Sequence, residues 1–318
     1  MAKFDLSAVG FVVLDTLCAH ADKMPPKGGA LFVDQSTMTV AGTAGATALD
    51  CAMLGLNVQV CTEVGYDPMG DWLLSEMKAN GLNTDLVTQH DTIQTAMSML
   101  PIASDGSRSA FFVPGTSNTF TLDDAGIEAA TDAKIVHLGG TGLMAAFDGE
   151  PSLKLLKRAK EKGCVTVFDL ILANPETIKL VKPLLPYIDY FVPSLEEAST
   201  MAGVDAPQDV AAWFKSQGVK NAILTLEGDG VYVDPEVGSA FLLPSHQIDV
   251  VDTTGCGDSF TAGIITGLAQ GWDLKQCARF ANTVAAHVAQ GLGSQGILKN
   301  FDETVAVMNS WPLRKENK

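Results

Sequence analysis

The residues best suited to chemistry lie in one segment, residues 250–263, which reads VVDTTGCGDSFTAG. The pattern predicts the end of an apolar strand, a turn of small residues and then a helix, with Asp258 in the first helical turn. Small residues allow successive backbone N–H groups to converge, and a helix N-terminus adds positive potential, so the segment suits a phosphoryl group in transfer. An ordinary ionised Asp258 could take the proton of an attacking hydroxyl there, or it could only cap the helix.

The run DTTGCGD at residues 252–258 resembles the C-terminal signature of the ribokinase-like (PfkB) carbohydrate kinases. The resemblance implies that Asp258 is the catalytic base and that the backbone amides of Gly255, Cys256 and Gly257 form an anion hole. Cys256 stands where the family usually has Ala or Gly, which is compatible because the amide is the working group. The resemblance also implies ATP as the phosphoryl donor, Mg²⁺ as cofactor and a small sugar-like molecule as acceptor.

Two charged residues are expected at the acceptor. Asp15 sits at the end of the first predicted strand, where ligands gather in open parallel sheets. In ribokinase-like enzymes an Asp in this place accepts hydrogen bonds from two sugar hydroxyls, whereas a simple strand-end turn is the alternative. Arg108 lies in a later insertion and could meet an anionic group of the substrate.

Residues 41–55, which read AGTAGATALDCAMLG, resemble the family's N-terminal glycine motif, where a helix opens against the substrate. The resemblance places Gly42, Thr43 and Ala46 beside the acceptor. Ala46 replaces a frequent sugar-binding Asn, which disfavours ribose. Thr43 stands where several members that act on phosphorylated sugars carry Lys, which disfavours an already phosphorylated substrate.

Residues 194–197 resemble the family's N-x-x-E element, which orders magnesium-bound water near the phosphates. Glu197 matches this element, and Ser194 replaces its Asn. The local alternative is a capping box, in which Ser194 and Glu197 only begin a helix. Asp252 and the loop near Gly293 are implied as the site of a monovalent cation such as K⁺, as in relatives.

The segment TLEGDG at residues 225–230 resembles the family's nucleotide-binding segment, with Glu227 in place of a glycine. The local alternative is a plain hairpin turn, because Asp-Gly is a strong turn signal. The resemblance also extends to a later helix and the loop after it. The cofactor-binding residues implied are Thr225, Gly228, Gly230, Asn282 and Gly293.

Short apolar runs separated by amphipathic stretches predict parallel strands covered on both faces, in a doubly wound α/β sandwich. A late helix is expected after Asp273 as its N-cap. The chain of 318 residues favours one α/β domain over residues 1–318, although two smaller domains are an alternative. The predicted strands are residues 9–14, 58–64, 135–138, 165–170, 190–192 and 222–226.

Two segments interrupt this rhythm, residues about 16–40 and about 92–114, and the second contains the turn signal Asp105-Gly106. They could be edge hairpins of the main sheet. The resemblance instead implies a small β lid, built from both segments, that closes over the substrate and can serve as a homodimer surface.

Composition excludes several classes of partner. A net charge of −16 and a pI near 4.6 argue against nucleic acid and anionic membranes, which need basic surface. We expect no signal peptide, and we expect the six separated cysteines to be reduced in a cytoplasmic protein. The G-x-G-x-x-G run at residues 291–296 follows a predicted helix instead of a strand, so we discard it as a dinucleotide site.

The sequence thus predicts an ATP-dependent kinase that acts on a small sugar, polyol or sugar derivative. A nucleoside kinase of the same family would differ only in the shape of its pocket. A catalytically silent binding protein on the same scaffold is the third alternative. It is motivated by the departures at Ala46, Ser194 and Glu227, whereas the retained Asp258 argues against it.

Overall fold

The apolar runs of the sequence form the strands of two separate sheets. The computed structural model describes residues 2–171 and 173–314. The strands are β1 (Phe4–Gly10), β2 (Val13–Cys18), β3 (Ser36–Ala41), β4 (Val58–Gly65), β5 (Asn83–His90), β6 (Met97–Pro101), β7 (Phe111–Val113), β8 (Ala133–Thr141), β9 (Val165–Leu170), β10 (Tyr190–Phe191), β11 (Asn221–Thr225), β12 (Val231–Asp234) and β13 (Phe241–Leu243). The α-helices are α1 (Thr43–Met53), α2 (Pro68–Ala79), α3 (Asp124–Ala130), α4 (Glu150–Glu161), α5 (Pro175–Val181), α6 (Leu195–Ala202), α7 (Pro207–Ser216), α8 (Cys256–Ala269), α9 (Leu274–Val288) and α10 (Phe301–Met308).

The main sheet has nine strands in the order β13-β12-β11-β10-β9-β8-β1-β4-β5. Pairing is parallel from β5 to β11, and only the β11–β12 and β12–β13 pairs are antiparallel, so among the described strands β12 is the one reversed strand of this sheet. The chain moves outward from β1 through β4 and β5, then returns to the other side of β1 through β8. Ligands of open parallel sheets bind where the strand order reverses in this way, at the carboxyl ends of the strands. The carboxyl ends of β1 and β8 therefore mark the expected site.

Helices cover both faces of this sheet, as the apolar continuity of the strands predicts. On one face, Ile127 of α3, Leu155 of α4 and Phe214 of α7 belong to one buried cluster. On the other face, Leu49 of α1 and Ile264 of α8 belong to a second. The doubly wound α/β fold is thereby confirmed. Within the described ranges no helix is both long enough and apolar enough to span a membrane.

The prediction of a single strand over residues 9–14 is wrong. Strand β1 ends at Gly10, and Val13 begins β2 in the other sheet. Gly10 has φ +131°, and a Cβ there would lie 2.1 Å from the Gly139 carbonyl oxygen, so the backbone turns where only glycine fits. An unbroken apolar run does not reveal that the chain passes from one sheet to another. Asp15 therefore lies within β2, not at the end of the first strand.

The second sheet, which we call the small sheet, has four strands in the order β3-β2-β6-β7. Strand β2 pairs antiparallel with β3 and parallel with β6, and β6 and β7 form an antiparallel hairpin around residues 105–106. Both interrupting segments thus contribute to one sheet that is separate from the main sheet. Its buried underside, which includes Leu17 and Leu100, packs against Leu292 of the loop after α9.

Candidate active site

Helix α8 begins at a turn that only glycine accommodates. Its N-cap, Gly255, has φ +77°, and a Cβ at this position would lie 2.7 Å from Cα of Ser294. The left-handed conformation and the close approach of a neighbouring loop both require the absence of a side chain. By contrast, a Cβ on Gly257 would meet no atom within 4 Å. The backbone of the turn is therefore restricted to glycine at Gly255, whereas the space beside Gly257 is free of atoms from the described residues.

Backbone donors remain available at this turn. Among the described residues, the amides of Gly255, Gly257 and Asp258 donate to no protein acceptor, because they precede the first complete helical turn. The Cys256 amide instead donates to the Thr253 carbonyl at 3.3 Å. The Cys256 amide, which the resemblance implied for the anion hole, is thus paired within the protein, whereas the Asp258 amide is unpaired within the described residues. The Cys256 Sγ lies 3.8 Å from the Ala285 carbonyl oxygen, on the side of α9.

Asp258 follows in the first turn of α8, and its side chain is half-buried. The pKa of the Asp258 carboxyl is raised to about 7, chiefly by burial and also by the negative charge of Asp15, while the guanidinium of Arg108 opposes the rise. A base whose pKa lies near neutrality is well matched to proton transfer at physiological pH. Asp258 is therefore not the ordinary, fully ionised Asp that the sequence suggested, because its pKa is raised.

The small sheet brings Asp15 and Arg108 to the same place. Asp15 is buried in β2 beside Thr39 of β3 and Ser98 of β6, and its Oδ1 has no partner among the described residues. Burial raises the pKa of the Asp15 carboxyl to about 6, while a hydrogen bond from Ser98 and the charge of Arg108 oppose the rise. An unpaired buried carboxylate oxygen is an acceptor that a ligand hydroxyl can satisfy.

The start of α1 lies against the ends of β1 and β8. Gly42 is its N-cap with φ +84°, and a Cβ there would lie 2.6 Å from the Phe11 carbonyl oxygen. Thr43 is buried and its Oγ1 has no partner in the described part of the chain. Ala46 is also fully buried and has no polar side-chain atom, so of the two only Thr43 has a side chain that can hydrogen-bond a ligand. The carbonyl of Asp258 accepts a 3.2 Å hydrogen bond from Thr47 Oγ1, which ties α1 to α8.

Asp252 organises the loops around the turn. Its Oδ1 accepts from the amide and hydroxyl of Thr254 at 2.9 and 2.7 Å, and its Oδ2 accepts from the Gly293 amide at 2.9 Å. Asp252 is fully buried, so both oxygens are committed to protein donors. A Cβ on Gly293 would meet Thr39 of the small sheet at 2.5 Å. Gly293 thus lies beside Asp252 of the loop before α8 and beside the small sheet, not with the predicted nucleotide-binding segment at residues 225–230.

Ser194 and Glu197 form the capping box. The Ser194 Oγ accepts from the Glu197 amide at 3.2 Å, and Glu197 Oε2 accepts from the Ser194 amide at 3.1 Å and from its hydroxyl at 2.7 Å. Burial raises the pKa of the Glu197 carboxyl. These contacts use the Ser194 side chain and leave Glu197 Oε1 available. The capping interpretation is confirmed, and for Glu197 it is compatible with a second role.

Asp169, at the end of β9, is a carboxylate that the sequence analysis did not identify. It is buried, and its Oδ2 accepts a 3.2 Å hydrogen bond from Thr261 of α8. Burial raises its pKa well above the usual value, and the charges of Asp258 and Glu197 add to the rise. The only sequence signal was one Asp that closes an apolar strand, and such residues often cap or turn.

A second group of residues lies at the carboxyl end of β11. Residues 227–229 form a 3₁₀ turn between β11 and β12, as the hairpin alternative predicted, and Glu227 adopts φ +50°, a conformation that favours glycine. The Gly228 carbonyl accepts from Ser245 Oγ and from Arg314 Nη1. Asn282 is buried and donates to the Pro244 carbonyl at 3.1 Å. A Cβ on Gly230 would meet Leu243 and Pro244, so Gly228, Gly230 and Asn282 border one segment.

Thr225 links this group to the capping box. It forms a bridge with Ser194, its amide donates to the Pro193 carbonyl at 3.0 Å, and its Oγ1 lies 3.4 Å from the same oxygen. The negative charge of Glu197 in turn raises the pKa of Asp258 at the start of α8.

Comparisons with known proteins agree with this geometry. The profile described as pfkB family carbohydrate kinase matches residues 10–300. The chain is 27% identical over 299 residues to a cytidine kinase of Thermococcus kodakarensis, with 92% of this chain and 99% of that protein covered. The structure of Arabidopsis thaliana ribokinase complexed with ribose and ATP superposes with a TM-score of 0.80 at 22% identity, covering 97% of this chain and 99% of that one. An E. coli protein described as ribokinase II, in complex with ATP and Mg²⁺, superposes with a TM-score of 0.81 at 18% identity, covering 95% and 98%.

The fold and the arrangement at the switch point define a phosphotransferase that acts on an alcohol group. The match over residues 10–300 shows that the chain belongs to the pfkB family of carbohydrate kinases. It is a sugar or nucleoside kinase of this family.

Proposed function

We propose that the protein transfers the terminal phosphoryl group of ATP to a hydroxyl of a small sugar, polyol or sugar derivative, with Asp258 as the general base. One observation carries the proposal. A half-buried carboxylate with a raised pKa stands in the first turn of α8, beside amides of Gly255 and Gly257 that have no acceptor within the described chain. A silent binding protein has no need for a base tuned in this way.

The acceptor's binding residues would come from two sides. Asp15 offers its unpaired Oδ1 to substrate hydroxyls from the small sheet, and Thr43 offers its unpaired Oγ1 from α1. Both atoms are buried and lack partners in the described residues, so binding would satisfy them. Hydrogen bonds from these fixed side chains would orient one hydroxyl toward Asp258, which removes its proton as the new bond to phosphorus forms.

The amides of Gly255, Gly257 and Asp258 would stabilise negative charge that develops on the transferring group. They are fixed in direction by the turn, and the helix adds its positive N-terminal potential. Arg108 would contribute a full positive charge from the small sheet, since it acts on both Asp15 and Asp258. Phosphoryl transfer depends mainly on such positioning and charge stabilisation.

The nucleotide would lie along residues 225–230, bordered by Thr225, Gly228, Gly230 and Asn282. The E. coli neighbour contains ATP and Mg²⁺, which supports this pair of ligands. Among residues 2–171 and 173–314 no cluster of three or more His, Cys, Asp or Glu side chains has metal-binding geometry. Mg²⁺ needs no such cluster, because it is typically held by one or two carboxylates, waters and phosphate oxygens. Glu197 Oε1 would be one outer partner. When bound, the ion would neutralise phosphate charge.

Asp252 would hold a monovalent cation only in addition to its present bonds. Its two oxygens each accept from backbone amides, and a carboxylate oxygen can accept more than one interaction. The loop of Gly293 that it fixes lies directly beside Gly255. A bound K⁺ would therefore act through the shape of the anion-hole turn.

The small sheet would be both a lid and a dimer surface. Its outer face carries one register row of exposed apolar side chains, Met38 at 44%, Met99 at 43% and Phe111 at 49% exposure, on either side of Thr16. Such a row of exposed apolar side chains, interrupted only by Thr16, favours contact with a second copy. Free thiols at all six cysteines are consistent with a cytoplasmic location.

A nucleoside acceptor is the second candidate, supported by the 27% identity to a cytidine kinase. Coupled ADP release, measured over a panel of sugars, polyols, sugar acids and nucleosides, tests both at once. We expect turnover with one member of the sugar group. Turnover with nucleosides alone would select the second candidate, and ATP binding without turnover on any acceptor would contradict the proposal.

A further inference from the structure

A carboxyl group that the proposed reaction does not use lies directly behind the anion-hole turn. Asp50 is the one charged residue of α1, has no solvent exposure, and neither of its oxygens has a hydrogen-bond partner in the described chain. An ionised carboxylate left in this condition is strongly unfavourable, so such groups keep their proton. Asp50 lies inside the helix of the motif at residues 41–55, and that position alone does not explain a buried carboxyl group.

The groups around Asp50 belong to the elements that shape the turn. The Ser259 Oγ and the Ser259 amide of α8 both donate to the Gly255 carbonyl at 2.8 Å, which holds the left-handed cap. The Gln295 Nε2 donates to the Val40 carbonyl at 3.2 Å, from the loop that also contains Gly293. Ser259 and Gln295 are the two polar side chains that lower the pKa of Asp50, so both lie close to its carboxyl, although neither is hydrogen-bonded to it in this structure. Asp50 thus faces the junction of α1, α8 and the 291–296 loop.

The titratable groups near Asp50 are all acidic. Asp258 and Cys256 face it from α8, and Cys51 is its neighbour on α1. The pKa of the Asp50 carboxyl is raised to about 8, chiefly by burial and also by the charge of Asp258, whereas Ser259 and Gln295 oppose the rise. No cation acts on this carboxyl from the described residues.

We propose that Asp50 is a positioning residue that remains a neutral carboxylic acid in the working enzyme and, as a hydrogen-bond donor, holds the turn at Gly255 through Ser259. A neutral acid can donate to the Ser259 hydroxyl, which itself donates to the Gly255 carbonyl, whereas a carboxylate can only accept. Loss of that proton would also place a second negative charge beside Asp258. This inference rests on the proposed role of Asp258 and the adjacent amides.

Protonation can be tested without any substrate, by comparing wild type with Asp50→Asn in thermal unfolding from pH 5 to 9. Because the folded-state pKa is raised above the usual 3.8, folding binds the proton more tightly, and the stability that Asp50 contributes is lost as pH rises toward about 8. Asparagine does not titrate. The melting temperature of Asp50→Asn minus that of wild type should therefore increase with pH and level off above about 8. A difference that is constant or falls would mean an ionised Asp50 and would overturn the proposal.

The positioning role is tested by kinetics, with Asp50→Leu as the variant of similar size that cannot donate. Asparagine keeps an N–H donor, so Asp50→Asn should retain most of kcat at pH 7 and lack the decline in rate that we expect for wild type above about pH 8. Asp50→Leu should lower kcat about tenfold, the worth of one hydrogen bond, with a smaller change in the KM for ATP. Equal losses in both variants with an unchanged alkaline decline would leave only a packing role and refute the proposal.

Two further outcomes are distinguishable. If wild type needs Na⁺ or K⁺ and Asp50→Asn loses that dependence together with its activity, Asp50 is an ionised cation ligand, and the proposal is wrong. If wild type phosphorylates no acceptor, the proposed function fails, whereas the pH dependence of unfolding still decides the state of Asp50. An infrared band of a protonated carboxyl at pH 7, absent from Asp50→Asn, would support the proposal independently.

Discussion

The Nη1 of Arg108 donates a 2.9 Å hydrogen bond to the Oγ1 of Thr253, which joins the hairpin of the small sheet to the loop before α8. The tip of the same hairpin approaches this loop at Gly106, where an added Cβ would lie 3.7 Å from Val250. Arg108 also lowers the pKa of both Asp15 and Asp258. One side chain therefore links the small sheet to the loop before α8 and to the charge state of Asp258.

Arg108→Ala should weaken both effects. Without the Thr253 contact the small sheet closes less completely, so we expect a higher KM for the acceptor and more ATP hydrolysed per molecule of acceptor phosphorylated. Loss of the positive charge should also raise the pKa of Asp258 above its present value of about 7 and move the acidic limb of the rate profile to higher pH. The ratio of ADP to phosphorylated product, measured across pH, gives both readouts.

Lys23→Ala is the matched control, because Lys23 is an exposed cation in the other interrupting segment, residues about 16–40, and has no hydrogen-bond partner within the described chain. It should leave KM, coupling and pH profile near those of wild type. Identical profiles for wild type and Arg108→Ala would mean that Arg108 controls neither closure nor the base.

Asp258→Asn should remove the base while leaving the turn intact. We expect kcat to fall by about 10²–10⁴-fold, with ATP affinity measured by calorimetry nearly unchanged. In wild type the carboxylate is lost as pH falls below about 7, so kcat/KM should decline toward acid through that value. Asp302→Asn, an exposed acid in the first turn of α10, is the control for a general helix-dipole effect. A similar rate for Asp258→Asn and wild type would exclude the base role.

Much of the fold follows from local pattern. Runs such as residues 58–64 and 165–170 are rich in apolar residues and are buried on both faces, as strands covered by two helix layers are. The late helix was also visible, since Asp273 does accept from the Gln276 amide as its N-cap. The passage from β1 to β2 was not visible, because Phe11 and Val12 continue the apolar run while the backbone leaves one sheet for another.

The candidate site was predictable only where its geometry is local. The turn at Gly255 and the acid in the next helical turn lie within a few residues, so their spacing carries the information. Asp169 and Asp50 are single acids in apolar surroundings, and their approach to Asp258 depends on strand order and helix packing. Pairing of distant elements cannot be inferred from one segment, which is why these carboxylates, unlike Asp258, escaped the sequence analysis.

The two interpretations of residues 194–197 can be separated by paired variants. Glu197→Gln retains an acceptor for the Ser194 amide, so the capping box persists and the free energy of unfolding should change little. Loss of the charge should raise the Mg²⁺ concentration needed for half-maximal rate. Ser194→Ala should do the reverse, with a loss of about 1 kcal/mol in stability and an unchanged Mg²⁺ requirement.

Denaturant titration and a Mg²⁺ titration of the rate provide the two measurements for each variant. If Glu197→Gln changes neither quantity, the residue only caps α6. A raised Mg²⁺ requirement for Ser194→Ala would instead assign the hydroxyl to the metal.

A dimer through the small sheet should be sensitive to charge on its outer face. Met99→Lys places an ammonium in the middle of the row formed by Met38, Met99 and Phe111, where a second copy would have to desolvate it. We expect light scattering to show a shift from dimer to monomer. Val237→Lys is the control, because Val237 is an isolated apolar residue with 86% exposure. A wild-type chain that is monomeric at all concentrations would refute the dimer.

The glycines on either side of Cys256 should respond oppositely to alanine. Gly255→Ala imposes a left-handed conformation that costs about 1–2 kcal/mol, and its Cβ must also displace Ser294, so the free energy of unfolding should fall by at least that amount. Gly257→Ala adds a methyl group to open space within a helix, where alanine is favoured over glycine by about 0.5–1 kcal/mol. Gly257→Ala should therefore be as stable as wild type or more stable.

Activity should not follow stability in this pair. The space beside Gly257 is where the phosphoryl group would approach the free amides, so the added methyl group should lower kcat and weaken ATP binding even though the fold is intact. Denaturant titration gives the stability, and calorimetry with ATP gives the affinity. Because Gly257→Ala removes no polar group and strains no backbone, a loss of activity in it can come only from occupied space, whereas full activity would show that the transferring group binds elsewhere.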